Sequence, residues 1–348
     1  MRPCGVFDER YETDMAIIRT WQHWTILLGT IGLLFCIPLF ASYYFISLLN
    51  GIFITSVMVL GLQIIMGYCG QVSLGQAAFM AVGGFVSALL TLKLGLSFWL
   101  ALPLSGLSAG LIGLIGGAPS LRVKEFYLAM STVAIHYVII WLITHLKITG
   151  YTQGLVAPPP AIGNFVFNTE ERMYYIILMV TLLLTFYARN LIRGNVGRIF
   201  IAIRDNDLAA EVMGVNIFKY KMLAFFVSCF YAGIAGSLLA HWYQIVNVEQ
   251  FTLNHALLYI GMIIVGGMGS IPGAFFGVFL LRLLDEFVLT VSPMLAHKFP
   301  QLGMTPAASL GVMCFGIVLV LFLLYEPRGI AHRWEIFKAS YRIYPYRK

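Results

Sequence analysis

The chain has 348 residues, of which 60% are hydrophobic and only 11% are charged. Soluble proteins carry about 25% charged residues, so this composition excludes a water-soluble globular domain. Neither Thr20–Leu92 nor Leu94–Leu121 contains a Lys, Arg, Asp or Glu. Because a helix needs about 20 mostly apolar residues to cross a bilayer, these runs indicate a polytopic membrane protein. The runs are continuous rather than alternating, which favours helices over a β-barrel.

The basic residues predict how the chain is oriented in the membrane. The formal net charge is +7, and most basic residues fall in clusters that lie between or beside apolar runs. These clusters are found at 2–19, 122–124, 189–221 and 328–348. Loops that are rich in Lys and Arg stay in the cytoplasm. The positive charge therefore indicates membrane orientation rather than a nucleic-acid partner.

The apolar pattern predicts an all-α, polytopic transmembrane helical bundle with about ten apolar segments, some of them discontinuous. The segments lie roughly at 25–46, 51–68, 75–92, 97–118, 126–146, 173–189, 222–243, 255–267, 271–291 and 307–325. Ten crossings would place both termini in the cytoplasm. We expect a cytoplasmic N-terminal tail over 1–24, a transmembrane domain over 25–325, and a basic cytoplasmic C-terminal tail over 326–348.

Two stretches of small residues interrupt apolar helices, one in each half of the chain, at 67–75 and 266–273. Interrupted helices are typical of transport sites, because unwound backbone at membrane depth must line a cavity or be buried in protein. The short segment before Gly266 favours a pair of half-helices there over a plain hairpin. The residues predicted to line a translocation path are Gly70, Ser73, Gly75, Gln76, Gly266, Gly267, Gly269 and Ser270.

Close helix packing is the alternative interpretation of these glycines. Glycines spaced four residues apart let two helices approach closely. This spacing occurs at Gly269, Gly273 and Gly277, and at Gly106/Gly110 and Gly113/Gly117.

The polar segment 189–221 is too long for a turn and too polar to span a membrane. Within it, Asp205 or Asn206 can cap a short helix that Gly214 would end. An apolar stripe of this helix is predicted to comprise Ile201, Leu208, Val212 and Val215. Such a stripe can rest on the membrane surface or dock into a groove of another protein, and composition does not decide between them.

The stretch from Asp207 to Asn216 resembles the loop motif by which permeases of ABC importers contact their ATPase subunits. Other short sequence motifs, between about residues 60 and 330, resemble those of one family, the branched-chain amino acid ABC transporter permeases. These motifs lie at 70–75, 121–130, 197–206, 266–270 and 325–329. The resemblance implies that the loop at 190–221 couples to the ATPases through Asp207, Ala209, Ala210, Glu211 and Gly214.

The resemblance also implies partners and a location. It implies an inner-membrane importer with a homologous second permease, two cytoplasmic ATPases that carry ATP and Mg, and an external solute-binding protein. Branched-chain amino acids are the leading substrate. Urea, short amides and small organic acids stay open, because Gln76 and His136 depart from the family pattern. The alternative of another class is an ATP-independent channel or secondary transporter.

Residues for catalysis are missing from the pattern. The chain has no Gly-Lys dipeptide and therefore no Walker A loop, so any ATP would be hydrolysed by a partner. The spacing of His136 and His145 does not suit a zinc pair, and we expect no metal site, no cofactor and no enzymatic activity. Arg282, Asp285 and Glu286 are the charged residues within one predicted span, and their spacing predicts an internally neutralised structural cluster near its outer end.

Overall fold

The computed structural model describes residues 21–120, 125–162, 165–298, 306–326 and 328–343. The chain is a bundle of helices with two small two-stranded sheets. The helices are α1 (Trp21–Phe40), α2 (Tyr43–Leu62), α3 (Gln76–Lys93), α4 (Phe98–Ser120), α5 (Glu125–His145), α6 (Glu170–Arg193), α7 (Asn195–Asp205), α8 (Asp207–Val212), α9 (Ile217–Tyr243), α10 (Leu253–Gly266), α11 (Ile271–Lys298), α12 (Pro306–Tyr325) and α13 (Gly329–Ile343). Strand β1 (Leu155–Val156) pairs with β4 (Ile245–Val246), and β2 (Ala161–Ile162) pairs with β3 (Phe165–Val166), both antiparallel.

The all-α bundle is confirmed, but the number of ten spans is slightly too high. Among the described residues, seven helices are long and apolar enough to cross a membrane, or eight if the bent pair of α12 and α13 forms one span. Helix α1 misses the criterion because its apolar part, Leu28–Phe40, is short. Helix α11 carries three charged residues within its first 16 positions. The predicted tail at 1–24 lies almost wholly outside the described residues.

Helix α9 is the centre of the bundle and packs against α2, α3 and α4. An added Cβ atom on Gly110 would lie 2.6 Å from the Phe226 ring, and one on Gly113 would lie 2.5 Å from Sγ of Cys229. On α3, an added Cβ atom on Gly83 would overlap the backbone of Gly233. The close-packing interpretation of the glycines on α4 is therefore confirmed, because small residues bring the helices into contact.

Helices α10 and α11 form a closely packed antiparallel hairpin, and the predicted pair of half-helices is wrong. An added Cβ atom on Gly273 would lie 2.8 Å from the carbonyl oxygen of Gly266, and one on Gly277 would overlap that of Met262. The helices thus lie side by side from their connecting turn onward. Their glycines remove the side chains that would hold the two backbones apart.

The bundle has two ends, which the connections define. The loop end carries the segment 194–216 between α6 and α9. The opposite end carries the connection between α5 and α6 and the start of α10. There, the carboxylate of Glu170 accepts hydrogen bonds from Nδ2 of Asn50 at 2.8 Å and Nε1 of Trp242 at 2.7 Å. Three helices are joined by this one carboxylate.

Candidate functional site

A short helix, α8, projects from the loop end and has well-defined boundaries. Asn206 caps it, and its Oδ1 accepts a hydrogen bond from the N–H of Ala209 at 3.0 Å. Gly214 follows the helix in left-handed backbone with φ +85°, and its N–H donates to the carbonyl of Glu211 at 2.9 Å. The predicted cap and stop are confirmed, with Asn206 rather than Asp205 as the cap.

Helix α8 presents apolar side chains that nothing in the described chain covers. Leu208, Val212 and Met213 are 70%, 87% and 83% exposed. Of the predicted coupling residues, the exposed ones are Asp207, Ala209, Glu211 and Gly214, and the buried one is Ala210. An exposed apolar surface of this kind is typical of a docking site for another protein.

The predicted apolar stripe across this segment is wrong. Asn206 has extended backbone, with φ −161° and ψ 105°, and it separates α7 from α8. The direction of the chain changes there, so Ile201 on α7 is partly buried while Leu208 on α8 is exposed. The surface for docking therefore belongs to α8 alone.

Arg204, near the end of α7, connects the loop to the transmembrane helices. Its Nη1 donates a hydrogen bond to the carbonyl oxygen of Gly67 at 2.9 Å. Its Cα and Cγ are so close to Gly70 that an added Cβ atom there would lie 3.3 Å and 2.9 Å from them. An added Cβ atom on Gly269 would lie 3.1 Å from its Nη1. One arginine, three residues before α8, thus contacts both interruptions of the bundle.

The two interruptions also contact each other. Nε2 of Gln63 donates hydrogen bonds to the carbonyl oxygens of Gly267 at 2.9 Å and Ser270 at 3.0 Å. An added Cβ atom on Gly67 would lie 2.6 Å from the backbone nitrogen of Gly269. We call this contact, between residues 67–70 and 266–270, the glycine junction. It lies at the loop end of the bundle.

Glycine is required at the junction for two reasons. Gly70, Gly267 and Gly269 have φ values of +74°, +113° and +79°, which other residues adopt only at a cost. The contacts also leave no space for a Cβ atom at Gly70. The backbone of the junction is therefore both unusual and tightly enclosed.

The C-terminal helix α13 begins against the same junction. Gly329 has φ +75°, and an added Cβ atom on it would lie 2.5 Å from the backbone of Gly267. Glu326 and Arg333 form an ion pair across the turn that precedes α13. The family motifs at 266–270 and 325–329 are thus in contact, while the first four residues of the motif at 121–130 lie outside the described residues.

The first interruption continues into a buried polar group between α2 and α3. Nε2 of Gln76 donates to Oγ of Ser228 at 2.9 Å and lies 3.4 Å from Oγ of Ser73. An added Cβ atom on Gly75 would lie 2.6 Å from the carbonyl oxygen of Thr132. Ser73, Gln76 and Ser228 are all buried, so polar atoms line the chain inside the bundle here.

Several polar atoms in this part of the bundle find no hydrogen-bond partner among the residues that the structure describes. Both amide atoms of Gln71, Oε1 of Gln76 and Nδ1 of His136 are buried and unsatisfied. Buried polar atoms are normally paired with protein or ordered water. These atoms are therefore available to water or to a polar solute.

The remaining histidines occupy separate surroundings. His241 is buried, with Nε2 2.9 Å from Oγ of Ser87 and Nδ1 2.7 Å from the carbonyl oxygen of Pro158. His145 lies at the opposite end of the bundle, on Trp141. Within the described ranges, no group of three or more His, Cys, Asp or Glu residues could hold a metal ion.

Comparison with known proteins decides the family. A family model described as the permease component of the branched-chain amino acid transport system matches residues 44–323. The chain belongs to this family. The matched residues include nearly all of the helices from α2 to α12, together with the loop 194–216 and the glycine junction. No solved structure matches the chain.

Individual members of the permease family are similar along most of the chain. The high-affinity branched-chain amino acid transport system permease protein LivM of Escherichia coli K12 is 29% identical over 78% of this chain, and the match covers 66% of LivM. The probable branched-chain amino acid transport permease protein LivM of Methanocaldococcus jannaschii is 25% identical over 84% of this chain and 90% of its own length. The permease protein LivH of Escherichia coli K12 is 23% identical over 85% of this chain and 98% of its own length.

Sequence reasoning found α8 and both interruptions but missed the residues that connect them. Arg204 belongs to the family motif at 197–206, yet its neighbours in the sequence do not indicate a contact with Gly67, which is 137 residues away. Gln63 lies in an apolar run. Because a buried amide needs a hydrogen-bond partner, its position there could have predicted a polar contact inside the bundle.

Proposed function

We propose that this chain is the permease subunit of an ABC importer that moves a small solute across the cytoplasmic membrane with ATP hydrolysed by partner subunits. Membership of the permease family supports the transport role. The relatives named above are called branched-chain amino acid permeases, which supports these amino acids as the leading substrate. Urea, short amides and small organic acids are the alternative cargo.

The observation that carries this proposal is the contact of Arg204 with both sides of the glycine junction. Helix α8 is exposed, so a partner protein can bind it, and Arg204 lies three positions before it. A force that moves α8 acts through Arg204 on Gly67 and on Gly269, which belong to different helical hairpins. Since packed interfaces shift between discrete arrangements, a small displacement of α8 would move α2 and α11 together.

More than one contact holds Arg204 in place. A hydrogen bond from a charged group contributes about 1.5–3 kcal/mol. Arg204 adds close contacts with Gly70 and an ion pair with Asp205 at 2.9 Å. The guanidinium is thus held on the junction while its own helix leads into α8.

We place the translocation path along the first interruption and the junction. The unsatisfied polar atoms of Gln71, Gln76 and His136 support this placement, because a hydrated path supplies their missing partners. The path residues proposed are Gly70, Ser73, Gly75, Gln76, Gly266, Gly267, Gly269 and Ser270.

We infer the partners and the location from the family. Both LivM and LivH of one organism resemble this chain, which supports pairing with a homologous second permease. Two cytoplasmic ATPase subunits would bind ATP and Mg, and an external solute-binding protein would deliver the cargo. In this proposal both termini and the loop end face the cytoplasm, the transmembrane domain spans 25–325, and the chain itself performs no catalysis.

Co-purification from the native cell tests the proposal. An ATPase subunit should be retained by the tagged wild-type chain and lost with Glu211→Lys or Gly214→Pro, which alter α8. Glu249→Lys is the matched control, since Glu249 is exposed at the opposite end. Absence of an ATPase from the wild-type chain, together with nucleotide-independent uptake, would instead favour a channel or secondary transporter.

A further inference from the structure

Arg282 places a positive charge at the middle of the membrane-spanning bundle. Its Nη2 donates a hydrogen bond to Oγ1 of Thr55 at 2.7 Å. Thr55 lies at the centre of the continuous 26-residue span Tyr43–Tyr68. At about 1.5 Å per residue, each end of that span is about 20 Å away, which exceeds half the thickness of the hydrocarbon core. The guanidinium therefore lies at mid-depth, and the prediction that this charge lies near the outer end of a span is wrong.

Within the part of its own helix that the structure describes, Arg282 forms no direct ion pair. Among the described residues, neither Asp285 nor Glu286 lies within the 4 Å of an ion pair with Arg282. The guanidinium instead crosses to α2, because Thr55 offers an acceptor whose own hydroxyl donates to the carbonyl of Gly51. Nε of Arg282 is buried and has no hydrogen-bond partner.

The surroundings of the guanidinium supply polarity without a contacting counter-charge. His255 and Tyr259, on the facing side of α10, and Asp285, one turn away on α11, are close enough to feel its charge. The Tyr259 hydroxyl is directed to the sulfur of Met80 at 3.7 Å. Arg282 as a whole is partly buried, and its Nε is fully buried.

A guanidinium at this depth calls for an anion. Charged groups inside a membrane are costly unless they are paired, and those that persist mark substrate or ion pathways. The planar guanidinium matches a carboxylate, which accepts two parallel hydrogen bonds from it. Thr55 accepts from one donor, Nη2, and Nε is a further donor that the described residues leave without a partner.

We propose that Arg282 binds the carboxylate of the transported solute at the midpoint of its path. The inference rests on the proposed function and makes it more specific, since it selects solutes with a carboxylate over urea and amides. Thr55 acts as a positioning residue that holds the guanidinium between α2 and α11.

Ligand-induced stabilisation of the purified chain in nanodiscs tests the proposal without ATPase or transport. The probes are L-leucine, 4-methylpentanoate, and the neutral 4-methylpentanamide. Because a ligand that binds the folded state raises the unfolding temperature, both carboxylates at saturation should raise it by about 2–4 °C, and the amide should not. A shift with 4-methylpentanoate alone would identify an organic-acid site, and one with leucine would identify an amino-acid site. Equal shifts with the acid and the amide, or no shift with either carboxylate, would overturn the proposal.

Variants separate carboxylate binding from a structural role. Arg282→Gln should abolish the shift, Arg282→Lys should retain a reduced shift because it keeps the charge, and Thr55→Val should weaken it. Arg333→Gln, at the loop end, is the matched control and should keep the full shift. If Arg282→Gln fails to fold, the pair of Arg282→Lys and Thr55→Val decides, and an undiminished shift in both would contradict the proposal.

Uptake in cells that carry the whole transporter separates this inference from the proposed function. 4-Methylpentanamide should compete with leucine uptake about 10- to 100-fold less well than 4-methylpentanoate, the range expected for loss of one charge-assisted contact. Arg282→Lys should reduce this difference. ATP-dependent uptake with an unchanged difference in Arg282→Lys would reject the inference alone, whereas absence of ATP-dependent uptake in the wild type would reject the proposed function.

Discussion

At the scale of single residues, Arg204 and the glycines that surround it decide whether the loop can act on the bundle. The guanidinium donates to Gly67, and its aliphatic part lies on Gly70. Any side chain at Gly67 or Gly70 would separate Arg204 from the backbone that it contacts. Coupling therefore depends on an absence of side chains, which no measure of charge or hydrophobicity would reveal.

Gly70→Ala should reduce uptake by at least about tenfold while the ATPase stays bound. The added methyl group would collide with Arg204, and left-handed backbone would cost about 1–2 kcal/mol. Gly95→Ala is the matched control, since Gly95 has φ +62° and open space around it. Uptake assays of the two variants compare them. Equal losses would show that backbone strain, and not the contact with Arg204, is responsible.

The thiol of Cys69 should report whether the junction opens. Burial raises the pKa of Cys69 to about 12, so the side chain stays protonated at pH 7–9 and reacts slowly with maleimides. At both pH 7 and pH 9, Cys69 in the resting chain should therefore react far more slowly than a free thiol, because only a very small fraction of it is thiolate at either pH. Mass spectrometry of Cys69, with Cys36 and Cys314 replaced, measures the rate. Rapid labelling at pH 7 in the absence of partners would contradict the closed junction.

At the scale of elements, α8 and the α10–α11 hairpin have different parts to play. Helix α8 is short, capped at both ends and exposed, so a bound partner can displace it without unfolding it. The hairpin is held together by close backbone contacts at Gly266, Gly273 and Gly277. In the proposed function, the partner displaces α8, and the α10–α11 hairpin transmits this displacement to the membrane-spanning part of the bundle.

Val212→Glu should abolish ATPase binding without affecting membrane insertion. Val212 is 87% exposed, so a charge there costs the free chain little but opposes an apolar contact with a partner. Pull-down of the ATPase with the tagged chain provides the measurement, and Val156→Glu, at an exposed position of the opposite end, is the control. Retention of the ATPase by Val212→Glu would exclude α8 as the docking surface.

Gly277→Ala should destabilise the hairpin by about 1–3 kcal/mol, the usual cost of forcing atoms into a packed interior. The added Cβ atom would overlap the carbonyl of Met262. Gly316→Ala on α12 has open space and should be neutral or slightly stabilising. Thermal unfolding of both variants in nanodiscs tests this. A neutral Gly277→Ala would show that the two helices are not in contact.

Local features of these elements could be predicted from the sequence, whereas their long-range contacts could not. The cap at Asn206 and the stop at Gly214 follow from residues within one turn of the helix. The hairpin was mistaken for half-helices because a short apolar segment with glycines fits both structures. Arg282 was paired with its neighbours by spacing, yet its acceptor Thr55 is 227 residues away.

At the scale of the whole molecule, direct contacts connect the loop end to the membrane-spanning helices. Helix α8 leads through Arg204 to the glycine junction, and α13 begins against the same junction through Gly329. Five of the proposed path residues belong to the junction itself, while the other three and Arg282 lie beyond it along the chain. Under the proposed function, motion at the loop end would move the path, and the partner subunits would supply the energy.

Uptake by reconstituted vesicles tests this central claim most directly. Vesicles with this chain, its second permease and the ATPases should accumulate the cargo only when ATP is supplied on the side that the ATPases face. Replacing Arg204 by Ala should leave ATP hydrolysis intact and lower the solute moved per ATP by at least about tenfold. Undiminished accumulation by vesicles that contain this polypeptide alone, without nucleotide, would contradict the account.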